Sequence, residues 1–204
     1  MEEVIEVPRL ETKRLILRAL SLDDTDSLLR HFSEEEINRY SSYERLDRED
    51  ILDFYKKFIE PGRPTRIRLG IVLKETGELV GTLGYHNLSR IDRSAEIGYD
   101  LSRLYWGKGM MTEAVDALIR HGFEHMNLNR IEATADSENL KSIRLLERSG
   151  FFREGLLRDH CYYKGRFHDE VIYSLVHRDW KERKKTALNG DDNIQDIGIP
   201  SESF

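Results

Sequence analysis

Cysteine, basic excess and long apolar runs are what this 204-residue sequence lacks. Its one cysteine, Cys161, excludes an internal disulfide framework and fits a reducing compartment. No apolar run approaches the ~18 residues that a membrane-spanning helix requires. Lys and Arg number 32 against 38 Asp and Glu, for a formal net charge of −6. A broad footprint for nucleic acid or an anionic membrane is therefore not expected, while a local basic patch stays open. The opening stretch MEEVIEVPRLETKR is acidic and has no apolar h-region, so a secretory signal is not expected and a cytoplasmic location is. No internal repeat is found. What is present is 39% hydrophobic and 34% charged residues, a mixture normal for one globular domain with a real core.

Periodicity divides the chain. Arg14 to Leu20 alternates apolar and basic side chains as a half-buried strand does. Ser21 and Asp24 form a capping box for a helix reaching about Phe32. A short helix is expected through Glu36 and Ile37, and a third from about Arg48 to Ile59, opened by Asp47 and stopped by Pro61-Gly62. The period then becomes two. Ile67, Leu69, Ile71 and Leu73 alternate with Arg66, Arg68, Gly70 and Val72, and a turn at 75–78 leads into Leu79 to His86. Ala95 to Leu101 completes an antiparallel meander. Residues 109–126 predict a helix, Arg130 to Asp136 a strand, and 139–149 an amphipathic helix ended by Gly150. Phe151 to Tyr163 and Val171 to Val176 predict a closing hairpin. The expected fold is α/β, in the order β-ααα-βββ-α-β-α-ββ, with a mixed, mostly antiparallel sheet that is parallel only around the central crossover. Beyond Trp180 the sequence is polar and without a usable period, and 181–204 reads as a flexible C-terminal tail.

The segment AEIGYDLSRLYWGKGMMTEA, residues 95–114, carries the clearest chemical signal. A strand with an interior glycine, Gly98, leads through a short loop to Gly107-Lys108-Gly109, which opens a long helix. Glycines at a helix start let backbone N–H groups approach an anion, and the helix dipole favours it by about 0.3–1 kcal/mol at an exposed site. A Walker loop would need its lysine after the last glycine, and Lys108 precedes it. A dinucleotide fingerprint would need a glycine at Thr112 and a different preceding topology. A phosphate cradle and a plain glycine-rich helix start both remain open on the loop alone.

Three stretches taken together, YWGKGMMTEA, ENLKSIRLLERSGF and GRFHDEVIYSLVHRDW, resemble the GNAT family (Gcn5-related N-acetyltransferases), and within it the branch that acetylates the N-terminal alanine of ribosomal proteins. The resemblance covers roughly Leu10 to Trp180 and implies a single N-acetyltransferase domain over residues 1–180. It implies acetyl-CoA as co-substrate, with the pyrophosphate on backbone amides of Trp106, Gly107, Lys108, Gly109, Met110 and Met111. The pantetheine arm would pair with the strand end around Tyr99 to Leu101, and Asn139 would touch that arm. Trp106 stands where the family has Gln or Arg, and Met111 where it has a small residue. No metal is implied, and the partners implied are acetyl-CoA and an amine acceptor, with a homodimer as the family-level expectation.

Acetyl transfer needs an uncharged amine, a polarised carbonyl and a stabilised thiolate. Glu96 is the candidate base, directly or through water; the alternative is a strand glutamate paired with an arginine. The family's tyrosine acid falls on Leu146, which cannot serve. Ser142, one turn after Asn139, is the candidate replacement, against a plain surface serine, with Tyr162 and Tyr163 as further candidates. His121 and His125 stand at i, i+4 but lack the other parts of a metal motif. Cys161 reads as a packed thiol, and Arg183-Lys184-Lys185 as a solvated run. The favoured activity is N-acetylation of a protein N-terminal amine. Alternatives are a small amine such as a polyamine or aminoglycoside, or a non-catalytic acyl-CoA-binding module.

Overall fold

The structure, a computed structural model, describes residues 7–40, 46–59 and 66–190. Their order is β1 (Leu10–Glu11), β2 (Leu15–Ala19), α1 (Thr25–Phe32), α2 (Glu35–Asn38), α3 (Arg48–Ile59), β3 (Ile67–Leu73), β4 (Leu79–Ser89), β5 (Ser94–Leu101), α4 (Met110–Glu124), β6 (Arg130–Asp136), α5 (Leu140–Arg148), β7 (Phe152–Tyr163), β8 (Arg166–Val176) and α6 (His177–Gly190). The expected order is present, with the short β1 and the helix α6 added. The helix stop expected at Pro61-Gly62 lies outside the described residues.

Eight strands form one sheet in the order β1-β2-β3-β4-β5-β6-β8-β7. Every neighbouring pair is antiparallel except β5 and β6. That one parallel pair is dictated by the connection: α4 lies between β5 and β6, and a helical crossover returns the chain in the same direction.

Both faces of the sheet are covered. Val115, Leu118, Ile119 and Phe123 of α4 and Leu145 and Leu146 of α5 pack with inward residues of every long strand except β7. On the other face Leu28 and Phe32 of α1 and Ile51 of α3 meet Leu20, Val72 and Leu79. This double cover explains why β3 does not alternate as its sequence suggests. Gly70 and Val72, expected to face outward, are buried beneath α1 and α3.

The stretch after Trp180, expected to be irregular, continues α6 to Gly190. His177 stacks on Phe123 at 5.2 Å and Trp180 packs on the same ring at 5.3 Å, while Lys184 pairs with Glu124 at 2.7 Å. The helix is amphipathic only against α4, a surface the local period does not reveal. Residues 191–204 lie outside the described residues.

Where α4 crosses β4 there is room for no side chain. The Tyr85 ring is buried, its hydroxyl donates to the Leu118 carbonyl at 2.8 Å, and a Cβ on Gly122 would lie 2.4 Å from that hydroxyl oxygen. Gly122→Ala is expected to destabilise the fold by about 1–3 kcal/mol through overpacking. Combining it with Tyr85→Phe, which removes the clashing oxygen, should recover part of the loss in urea denaturation.

Candidate active site

The parallel pairing of β5 with β6 is short. It joins Ser94, Ala95 and Glu96 to Arg130, Ile131 and Glu132 and then stops, although β5 runs on to Leu101 beside β4, and β6 to Asp136 beside β8. The strands therefore splay, and from Ile97 to Leu101 the edge of β5 away from β4 has no strand partner among the described residues. An open edge of this kind can accept another extended, amide-bearing chain. The splay opens a cleft of about 1980 Å³ that takes in Gly107, Gly109 and Asn139 at one end and Glu96, His86 and Cys161 at the other.

At the first end lies the glycine-opened start of α4. Gly107 and Gly109 have φ of 72° and 73°, a left-handed backbone that glycine tolerates best. The N–H groups of 107–111 have no partner among the described residues, being either in the loop or in the first turn of α4. Trp106 departs from expectation. Its N–H is spent on the Arg103 carbonyl at 3.1 Å, and its indole donates to the Leu101 carbonyl at 2.6 Å beneath the Lys141 ammonium. It braces the loop. Lys108 leans over the Tyr105 ring at 5.3 Å. Behind the loop, Glu113 accepts from the Thr12 hydroxyl and from the Arg14 N–H and guanidinium, and Arg14 in turn donates to the Lys108 carbonyl at 2.9 Å. The loop is thus tied to β2.

Asn139 is the N-cap of α5: its side-chain oxygen accepts from the Ser142 N–H at 3.2 Å, and the residue lines the cleft. Ser142 shares a hydrogen bond with the Tyr99 hydroxyl, 2.8 Å away. Burial pushes the Tyr99 hydroxyl up to about 12, against the hydrogen bond with Ser142, so it remains a proton donor. This hydroxyl escaped the sequence reading, which took Tyr99 only for its backbone. The signal was strand alternation, which sends Ile97, Tyr99 and Leu101 to the α4–α5 face. Leu146 is fully buried, so a tyrosine there would not reach the cleft. Tyr163 is also spent. Its hydroxyl donates to Asp136, which His168 also contacts, and its ring stacks on His168 at 3.6 Å. Tyr162 is exposed.

Glu96, Gly98 and Asp100 alternate onto the opposite face. Glu96 pairs with no arginine among the described residues. Its carboxylate takes the Thr134 hydroxyl at 3.0 Å, the Asn87 NH2 at 2.9 Å and His86 Nε2 at 3.2 Å. The His86 hydrogen bond, helped by the other two, outweighs burial and lowers its carboxyl below the ordinary glutamate value. Cys161 lies nearby as a thiol that burial and the adjacent Glu170 push up to about 11, so it is no nucleophile at neutral pH. Cys161, His160 and Glu170 bring one ligand atom each within 4.8 Å of one another. His160 and Glu170 are already hydrogen-bonded at 2.7 Å, and the thiol is protonated.

Fold and cleft together describe a mixed sheet whose splay opens between a glycine-opened helix start and a cluster of titratable side chains. The chain belongs to the GNAT acetyltransferases: residues 14–152 match the acetyltransferase (GNAT) domain. It is 40% identical over 175 residues to the uncharacterized N-acetyltransferase p20 of Bacillus licheniformis, covering 84% of this chain and 97% of that one. It is 29% identical over 185 residues to the ribosomal protein uS5-alanine N-acetyltransferase of Escherichia coli (84% and 92% covered). With the spermidine N(1)-acetyltransferase of the same organism it shares 27% over 165 residues (81% and 82%). The fold superimposes on a GNAT acetyltransferase from Bacillus anthracis with a TM-score of 0.75 at 26% identity, covering 84% of this chain and 99% of the other. The chain is accordingly an N-acetyltransferase. No helix among the described residues is long and apolar enough to cross a membrane.

Asp100 ties the acceptor-side wall together. It binds His31 Nε2 at 2.6 Å, the Arg68 guanidinium, and the N–H and hydroxyl of Thr82 at 2.9 and 2.6 Å, joining α1, β3, β4 and β5. Burial alone would raise its carboxyl, but the charges of Arg68 and His31 and these hydrogen bonds win and hold it at about 2. Because the folded value is depressed, its stabilising contribution is complete above the unfolded value of ~3.9 and is lost as pH falls toward the folded one. Asp100→Asn should therefore be destabilised at about pH 5–6, and the gap should close on further acidification. Urea unfolding at stepped pH measures this.

Proposed function

We propose that this chain transfers the acetyl group of acetyl-CoA to the α-amino group of a protein N terminus, by direct attack in a ternary complex. The observation that carries the reading is the splay of β5 from β6, with glycine-opened amides at one end and a carboxylate on the opposite face. The fit to acetyl-CoA rests on free N–H groups for the pyrophosphate, an unpaired strand edge for the amides of the arm, and Asn139 beside it. When bound, acetyl-CoA supplies an acetyl group activated as a thioester.

The chain's own groups do the rest. The amides of 107–111 hold the diphosphate, the edge around Tyr99 to Leu101 orients the arm, and Ser142, fixed by Tyr99, donates a hydrogen bond to the departing sulfur. Glu96 supplies the negative charge on the acceptor side. Basicity here is modest, which suits an α-amino group of pKa ~8 better than a lysine near ~10.4. The uS5-alanine relative supports the same acceptor. A polyamine is the second reading, favoured by the cleft carboxylates Glu36, Glu138 and Glu170 and by the spermidine relative.

Thiol release from acetyl-CoA with an N-terminal alanine peptide, spermidine and an aminoglycoside decides among them. Release with the peptide is expected; release with spermidine alone would favour the second reading, and release with none would overturn both acceptor assignments.

Gly109→Val should weaken acetyl-CoA binding about 10-fold by calorimetry, since a left-handed backbone costs a side chain about 1–2 kcal/mol. The cost is conformational, because the nearest protein atom to a Cβ there is Arg14 Nη2 at 3.7 Å. Lys108→Ala should cost less, its charge being screened. Ser142→Ala should lower turnover by up to ~10²-fold with acetyl-CoA affinity nearly intact, the low end of acid assistance. Full turnover with chemistry rate-limiting would return Ser142 to the helix surface.

A further inference from the structure

We propose that His86 is the general base for the acceptor amine, with Glu96 as the positioning residue that orients it. The proposal deepens the reading above by assigning the proton acceptor. His86 and Glu96 are direct cross-strand partners in the β4–β5 register, so the sheet holds the imidazole and carboxylate side by side, Nε2 to Oε2 at 3.2 Å. Hydrogen bonds from the Thr134 hydroxyl and from Asn87, whose φ is 52° at the end of the regular pairing, hold the Glu96 carboxylate beside the imidazole. A carboxylate so satisfied, and with its pKa lowered, is a poor proton acceptor but a good anchor for an Nε2–H.

With Nε2 protonated toward Glu96, the lone pair is on Nδ1, which has no partner among the described residues. The imidazole is about one-third exposed and lines the cleft. Gly98 makes room for it. A Cβ there would sit 3.2 Å from His86 Cε1, 3.5 Å from Nδ1 and 3.3 Å from Arg68 Nη1, so any other residue would crowd the ring. The interior glycine of this strand thereby acquires a role that a half-buried strand does not require. The charged and titratable groups lining the cleft around the imidazole include Arg66 and Arg68 at β3, Glu96 and Asp100 from β5, and His160, Cys161 and Glu170 from the closing hairpin, His160 being bonded to Glu170.

The proton balance is complete. Nδ1 takes one proton from the acceptor ammonium, and Glu96 compensates the resulting imidazolium. The freed amine forms the C–N bond as the C–S bond breaks, and the second nitrogen proton ends on the departing sulfur. The imidazolium then returns its proton to solvent.

The test uses His86→Gln, Glu96→Gln, the double variant and Gly98→Ala in the full chain. Acetyl-CoA and an N-terminal alanine peptide are the substrates, or spermidine if the parent takes only that. His86→Gln should lower kcat by ~10²-fold or more and remove the acid limb of the kcat/KM profile. Glu96→Gln should cost less and keep an acid limb, and the double variant should be no worse than His86→Gln alone, because the two act as one unit. Gly98→Ala should lower kcat with acetyl-CoA affinity retained. Nitrogen NMR of the free protein should find His86 as the Nε2–H tautomer, lost in Glu96→Gln. This readout stands even if no tested amine is acetylated. A protonated Nδ1 in the parent would overturn the assignment. So would a His86→Gln variant, folded by circular dichroism, that keeps parental turnover and pH profile while Glu96→Gln is inactive; Glu96 would then be the direct base.

Discussion

The short parallel contact between β5 and β6 governs the rest of this structure. Three residue pairs hold the strands together before each follows its own antiparallel neighbour, β5 staying with β4 and β6 with β8. A sheet fully paired along this seam would bury the edge of β5 and leave no space between the two halves. Because pairing stops at Glu96, backbone groups that would satisfy each other face a cleft instead. Their unmet hydrogen-bonding demand is what an amide-bearing ligand can meet. Helix α4, which makes the crossover necessary, also delivers its free N–H groups to the mouth of the same cleft.

Polar chemistry divides across the two faces of β5 by strand alternation. Tyr99 goes toward α5 and meets Ser142, while Glu96, Gly98 and Asp100 go toward α1 and meet His86, Arg68 and His31. The two sets of polar groups are thereby separated by the thickness of one strand. A slip of one residue in the β4–β5 register would exchange the two sets of groups, so the buried Ala95, Ile97 and Leu101 that pin the register also protect the chemistry. Asp100 adds a second constraint, since its partners on three elements keep α1 docked against the acceptor side.

Most of the fold was legible in the chain, because periods of two and 3.6 and glycine punctuation are local signals. β6 over Arg130–Asp136 and α3 over Arg48–Ile59 were readable to the residue. The hidden elements depend on distant surfaces. Helix α6 has no local period and is held by Phe123 and Glu124, some 55 residues earlier. In β3, Gly70 and Val72 look outward until α1 and α3 cover them.

For the site, Gly107-Lys108-Gly109 before a periodic helix marked a glycine-opened helix start, since backbone conformation and helix dipole are properties of contiguous residues, but left a phosphate cradle and a plain helix entry both open. Asn139 and Ser142 were singled out only through the family resemblance. What the tertiary structure alone decided is which side chains meet. That Trp106 spends its amide, that Tyr99 reaches Ser142, that Leu146 is buried and that His86 stands opposite Glu96 all follow from strand register and helix docking. Such pairings join residues far apart in sequence through geometry that no local pattern encodes.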